Sequence, residues 1–378
     1  MRRTYFTIVI ALIAAVSLAV TAVAQQAKIT NARLTAQAAG SPFVQSFQSL
    51  VAAQPDVTWL AYSVPVRDKE RVMCCFWSGS SYISGNIVMS DSSGWNRTAC
   101  GLESAQRTAD SGQRTADSAQ RTAGPVKLEG SDNMTVLFRV AEKKVERIRV
   151  YSEECELDAG GRPVVWLQNV RPTDSIALLE SMIASTAERR DRVSNSALSA
   201  IAMHAEPSAG ALLERLARQH DNTTVRGEAL FWLAQRGERN AEQIISQALE
   251  KDASNAVRKK AVFALSQLKD DTGVDALIRA ARSNSDTSIR GEAIFWLGQK
   301  AGAKAAALIT DRIENDPDTE VKKRAVFALS QLPKDEGVPL LIKVARTNTN
   351  PAVRKQAMFW LGQSKDPRAL DFFAEILK

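Results

Sequence analysis

Histidine is almost missing from this chain: there are two in 378 residues, His204 and His220, and neither is followed by a glutamate. Cysteine is confined to the first half, at Cys74, Cys75, Cys100 and Cys155. These four show no Cys-x-x-Cys spacing, and no histidine lies in that half to complete a zinc site. There is no G-x-S-x-G elbow and no glycine-rich phosphate loop, so the sequence signatures of many hydrolases and of nucleotide-binding folds are lacking. The carboxylates do not make up the deficit. Asp286 and Asp318 stand where helix caps are needed, Glu228 and Glu292 at exposed helix positions, and neither pair forms an evident acid–base couple. The expectation is a protein that is not an enzyme and that uses no metal and no cofactor. The net charge of +7 includes Arg2 and Arg3, without which it is +5. Over so long a chain that charge serves solubility, not nucleic-acid binding.

What the chain has in abundance is repetition. The phrases VRGEALFWLAQ, VRKKAVFALSQ, IRGEAIFWLGQ, VKKRAVFALSQ and VRKQAMFWLGQ open at Val225, Val257, Ile289, Val321 and Val353, a constant period of 32. A worn sixth copy opens at Val193, with Ala197, Leu198 and Ile201 in the matching places. A period of this length predicts a solenoid of stacked helix pairs, which offers a long side wall before it offers a pocket.

Upstream, Arg2 and Arg3 precede an apolar run from Phe6 to Ala24 that ends in Ala22-Val23-Ala24. This pattern predicts a secretory signal peptide over residues 1–24, cleaved after Ala24, and a periplasmic or secreted protein. An uncleaved membrane anchor is the other reading, since the run approaches the ~18–20 residues that cross a bilayer. Export would let disulfides persist. Adjacent Cys74 and Cys75 are poorly placed to bridge each other, so one is expected to reach Cys100 and the other Cys155.

Residues 25–171 read as a small α+β domain. Ser41 to Gln54 carries a helical stripe of Phe43, Val44, Phe47, Leu50 and Val51. Runs rich in β-branched and aromatic residues follow at 57–66, 85–89, 135–140, 145–152 and 163–170. They predict a small, mostly antiparallel sheet. Asp158-Ala159-Gly160-Gly161 predicts a turn, because glycine accepts positive φ. Within about 103–125 a heptapeptide stands in three near-copies, SAQRTAD, SGQRTAD and SAQRTAG, with no large apolar residue, which predicts an expanded loop that folding does not need. From Pro172 to Lys378 the pattern is helical. The fold class expected is thus α+β: a sheet domain, then an all-α superhelical solenoid, each with its own core.

The repeated phrase explains itself residue by residue. Asn222, Ser254, Asp286, Asp318 and Asn350 precede the five copies by three positions, where N-cap side chains belong. Trp232, Trp296 and Trp360 alternate with Ala264 and Ala328, so the true unit is double, 64 residues long. Large against small in successive layers is a packing pattern, preferred here to an aromatic ligand ladder. Gln235, Gln267, Gln299, Gln331 and Gln363 close the phrases and suit a bracing role between layers.

These phrases resemble HEAT-like repeats of the phycobilisome-lyase type, in which Val-Arg opens the second helix of each pair. The pair stands here as Val225-Arg226, Val257-Arg258, Ile289-Arg290, Val321-Lys322 and Val353-Arg354. The resemblance covers about 174–378. It implies that the second helices line an inner wall carrying Lys259, Lys323, Lys355, Phe231, Phe263, Phe295, Phe327 and Phe359. The iron-dependent hydroxylase branch uses repeated His-Glu pairs, which this chain lacks. Strands from Trp59 to Met73, the Cys74-Cys75 pair and the stretch from Cys155 to Leu167 look like the amino-terminal region of exported bacterial HEAT-repeat proteins. The function expected is an exported scaffold that grips a protein partner through the wall, not nucleic acid. A sheet domain that senses a small envelope ligand beside Trp59, Trp77 or Trp166 is the alternative, and a bilin-lyase-like enzyme a third reading.

Overall fold

A computed structural model describes residues 28–70, 73–74, 100–103, 131–183, 192–300 and 303–377. The predicted signal segment with Ala24, Cys75, Trp77, the run at 85–89 and the heptapeptide repeats at 104–125 lie outside the described residues.

Two short strands, β1 (Ile29–Thr30) and β2 (Arg33–Ala38), lead into α1 (Phe43–Ala53) and β3 (Thr58–Pro65). After β4 (Cys100–Gly101) come the hairpin β5 (Asn133–Ala141) and β6 (Lys144–Ser152), then β7 (Leu157–Asp158) and β8 (Pro163–Gln168). Five strands form one sheet in the order β2-β8-β3-β5-β6, and β1-β7-β4 form a second, small one. The sheet region is mixed, and its two longest pairings are antiparallel as expected. Only β3–β5 and β5–β6 run antiparallel among the described strands; β2–β8, β3–β8, β1–β7 and β4–β7 are parallel. The cause is connectivity: α1 carries the chain from the end of β2 back to the start of β3, and a helical crossover returns a strand in the same direction. The β5–β6 turn is tight, with Glu142 and Lys143 both at positive φ. Gly160 and Gly161 take φ of 61° and 78° in the predicted turn.

The large sheet is covered on both faces. On one, Tyr62, Phe138 and Val150 meet Phe43, Phe47 and Val51 of α1 and the first solenoid helices. On the other, Trp59, Leu137, Tyr151 and Trp166 are sealed under Leu102, Leu157 and Ala159 at the small sheet. Cover on both sides is why β3 is buried almost without alternation.

The helical part runs α2 (Pro172–Ser181), α3 (Arg192–Met203), α4 (Ser208–Gln219), α5 (Thr223–Arg236), α6 (Ala241–Lys251) and α7 (Asn255–Gln267). It continues through α8 (Val274–Ser283), α9 (Thr287–Lys300), α10 (Ala303–Asn315), α11 (Thr319–Ser330), α12 (Lys334–Thr347), α13 (Pro351–Ser364) and α14 (Pro367–Ile376). The repeated phrases are α5, α7, α9, α11 and α13, and the worn copy is α3. Each pairs with the helix before it, and successive phrase helices also pack closely on one another, whereas the first helices of the pairs meet sparingly. Dense contact on one side and splay on the other put the phrase helices on the inner side of the curve. The chain is therefore an α+β protein with a helical solenoid. The two parts do not keep separate cores: one apolar cluster runs from Phe47 and Phe138 through Leu198 and Ile201 to Leu361 and Phe372.

Candidate functional site

The frame of the wall is built in the turns. His220, Asp252, Asn284, Asp316 and Asn348 recur every 32 residues, and each accepts the backbone N–H two residues ahead. Arg226 forks onto Asp252 at 2.9 and 3.0 Å and also donates to the carbonyls of His220 and Asp221. Arg290 repeats this on Asp316 at 3.0 Å through both nitrogens, with the Asn284 and Ser285 carbonyls. Between them Arg258 and Arg354 hold the carbonyls of Asp252 and Asn348. The arginine of the Val-Arg pair thus clamps its own turn and, in Arg226, Arg258 and Arg290, also reaches the next one, bidentately for Arg226 and Arg290 and through a single 3.3 Å contact to Asp286 for Arg258. Bidentate guanidinium–carboxylate pairs of this kind fix geometry as well as adding energy. Asn222, Asp286, Asp318 and Asn350 make the predicted cap bonds, while the Ser254 side chain makes none.

On the wall itself the phrase phenylalanines and tryptophans form an unbroken path of rings. Phe231 and Phe263 stack at 5.6 Å, Phe263 meets Trp296 at 4.9 Å, and Trp296 meets Phe295 at 4.9 Å. Phe295 stacks on Phe327 at 5.7 Å, Phe327 meets Trp360 at 4.8 Å, and Trp360 meets Phe359 at 5.0 Å. The rule behind the path is the double unit. Trp296 and Trp360 lean back on the phenylalanine of the preceding repeat; where a repeat has Ala264 or Ala328, the two phenylalanines close up instead. The tryptophans are packing residues, and their alternation with alanine sets the spacing of the rings.

Lys259, Lys323 and Lys355 stand one turn before Phe263, Phe327 and Phe359, on the same helix faces. Lys259 and Lys355 are exposed, and neither has an ion-pair partner among the described residues. Lys323 is half-buried and bonds Glu320 at 2.9 Å. In the alternate repeats glycine takes this position because the next repeat lies across it: a Cβ at Gly291 would fall 2.5 Å from Arg324 Cδ, and one at Gly227 3.0 Å from Lys260 Cγ. Phe231, Phe263, Phe295 and Phe327 are half-buried, and Phe359 is 53% exposed. The glutamines form one rung of a ladder, Gln299 donating to Gln331 at 3.3 Å, while Gln267 and Gln331 donate to the adjacent Ser266 and Ser330.

The family profile of HEAT repeats matches residues 209–298 and 306–378. Over those residues the solenoid matches HEAT repeats. Among solved structures, the HEAT region is similar to the complex of CpcE and CpcF of phycocyanin lyase from Nostoc sp. PCC7120. Identity there is 18% over 40% of this chain and 98% of that one, with a TM-score of 0.34. It is similar to the Escherichia coli protein YibA at 22% identity over 51% of this chain and 71% of the other, TM-score 0.34. Human deoxyhypusine hydroxylase in complex with glycerol matches at 15% identity over 54% and 89%, TM-score 0.29. Scores this low carry no inference about function. Comparison with curated proteins gives no match.

Away from the HEAT wall, a buried polar group joins the sheet to the first helices. Ser175 Oγ lies 3.0 Å from His204 Nε2 and 2.7 Å from the Tyr62 hydroxyl, a serine–histidine contact that sequence reasoning did not anticipate. All three residues have no exposed surface, and the group joins sheet to solenoid. Burial, with Arg236 nearby, pushes the His204 imidazole down to about 3. Arg236, itself buried, donates to the carbonyls of Ala202, His204 and Glu206. Burial would raise the Glu103 carboxyl, but hydrogen bonds from Arg139 and Trp59 outweigh it and hold it below the ordinary range.

Cys74 is bridged to Cys155, and Cys100 is also disulfide-bonded. No group of three or more metal-ligating residues occurs among the described residues, and no helix described there is long and apolar enough to cross a membrane. Trp59 and Trp166 are buried in the core between the sheets. A recess of about 310 Å³ lies on the opposite side, between α1, the β5–β6 hairpin and α2, lined by Phe47, Val145 and Leu178 among others.

Proposed function

We propose that this chain is a non-enzymatic scaffold that works outside the cytoplasm and holds a protein partner along the inner wall of its HEAT repeats. The observation that carries the reading is the ring path from Phe231 to Phe359, partly uncovered over the five phrase helices α5, α7, α9, α11 and α13. Lysines stand beside it at every second step and again at the last. A surface of this kind suits an elongated partner with apolar side chains and carboxylates, since aromatic rings supply large contact area and the exposed ammonium groups select for acidic neighbours. The disulfide between Cys74 and Cys155 agrees with an oxidising compartment.

The test is recovery of the natural partner by crosslinking in intact cells, followed by pull-down with the combined variant Lys259→Glu, Lys323→Glu and Lys355→Glu. Recovery should fall by more than tenfold, which corresponds to about 1.4 kcal/mol. Unchanged recovery would remove the wall from the reading. Export is checked separately: amino-terminal sequencing of the mature protein should begin at Gln25.

A further inference from the structure

The double repeat allows the last unit to be laid on the one before it, each residue on the one 64 positions earlier. Beneath the carboxyl ends of α11 and α13 lies a recess of about 190 Å³, lined by Leu332, Gly337, Trp360, Gln363 and Ser364 among others. Its frame recurs in the sister unit. Ser330 donates to the Phe327 carbonyl as Ser266 does to that of Phe263. Gln331 donates to Ser330 as Gln267 does to Ser266. Gly337 presses on the Leu329 carbonyl as Gly273 does on that of Leu265.

Two differences matter. In the sister unit, Lys300 stands at the Ser364 position and its ammonium donates to the Leu268 carbonyl; Glu292 stands at the Gln356 position and accepts the Trp296 indole N–H at 3.1 Å. In the last unit Ser364 turns back to the Leu361 carbonyl. Among the described residues no side chain takes the place of the Lys300 ammonium at Leu332, and Trp360 Nε1 is buried there without a hydrogen-bond partner. A buried indole N–H left in that state is unfavourable until an acceptor reaches it.

We infer that this recess receives a lysine side chain from an extended segment of the bound protein, its ammonium on the Leu332 carbonyl and a main-chain carbonyl of the same segment on the Trp360 indole. The inference rests on the scaffold reading and names what part of the partner is gripped. The chain supplies its own template for the occupant, since the sister unit fills the same frame with lysine. Helix carboxyl ends favour a cation at this place. The charges nearby are of both signs: exposed Lys334 lies on the rim, and Glu336, beside Gly337, keeps a buried Oε2 with no hydrogen-bond partner. An ammonium satisfies the acceptors and the peptide satisfies the indole, which a bare cation cannot do.

The experiment uses the full chain labelled with 15N-tryptophan, the Trp360 indole resonance being assigned with Trp360→Phe. The probe is the peptide acetyl-Gly-Lys-Gly-amide, with norleucine in place of lysine as the control. The lysine peptide should shift the Trp360 resonance saturably and the control should not. Ser364→Lys rebuilds the sister plug and should weaken binding at least about tenfold, with a thermal midpoint no lower than that of the parent chain. No shift with the lysine peptide, an equal shift with norleucine, or undiminished binding by Ser364→Lys overturns the inference. If reversing Lys259, Lys323 and Lys355 releases the natural partner while Ser364→Lys binds the peptide unchanged, the wall stands and the lysine recess falls.

Discussion

His204 is a residue through which pH acts on this fold. Its imidazole is held down at about 3, whereas the unfolded chain binds the proton near 6.5. Between those values the unfolded state carries a proton that the folded state refuses. Stability is therefore complete above pH 6.5 and falls as the solution is acidified, by about 1.4 kcal/mol per pH unit. Urea unfolding at pH 6.5 and pH 5 should show the parent chain losing roughly 2 kcal/mol, and His204→Gln losing much less. The sequence identified His204 only as a histidine in or beside a solenoid helix. Its contact with Ser175, and that serine's with Tyr62, join segments far apart in the chain, so no local pattern announces them. The turn clamps were nearer to legible. The Val-Arg pair was visible, but its carboxylate partner sits 26 residues on, and only Asp252 and Asp316 recurring at 64 would have shown it.

At the level of helices, caps and rings make separable contributions. Asp318 accepts from the N–H groups of Glu320 and Val321, so Asp318→Ala should lower stability by about 1 kcal/mol in denaturant titration. Ser254→Ala should stay within about 0.5 kcal/mol, because its side chain makes no cap bond. Trp296→Ala removes a ring that meets both Phe263 and Phe295. A half-buried tryptophan in that position should cost about 3 kcal/mol, measured the same way. The helices and their double period were readable because a 3.6-residue stripe and a tryptophan–alanine alternation are both written in one dimension. Strand direction was not readable. Alternation in β5 and β6 tells which side chains share a face, while the parallel pairing of β2, β8 and β3 depends on the crossover through α1. The two-residue strands β1, β4 and β7 are too short to carry a pattern at all.

Across the whole molecule, the sheet, the disulfide and the solenoid act on one another. Cys74 and Cys155 are separated by 81 residues, and opening that loop by Cys155→Ser should lower unfolding stability by about 2–4 kcal/mol, read from guanidinium titrations of both chains. The leaning of Trp296 and Trp360 on the phenylalanine of the repeat before gives the row of helices a sense of direction, and the core shared with the sheet fixes one end of that row. Repeats that touch only their neighbours open in order of their distance from support. Amide hydrogen exchange should therefore slow steadily from α13 towards α3. Fluctuations would then start far from the sheet and die out as they approach it, so a long guest lying along the rings would calm the distal helices most and the rooted ones hardly at all.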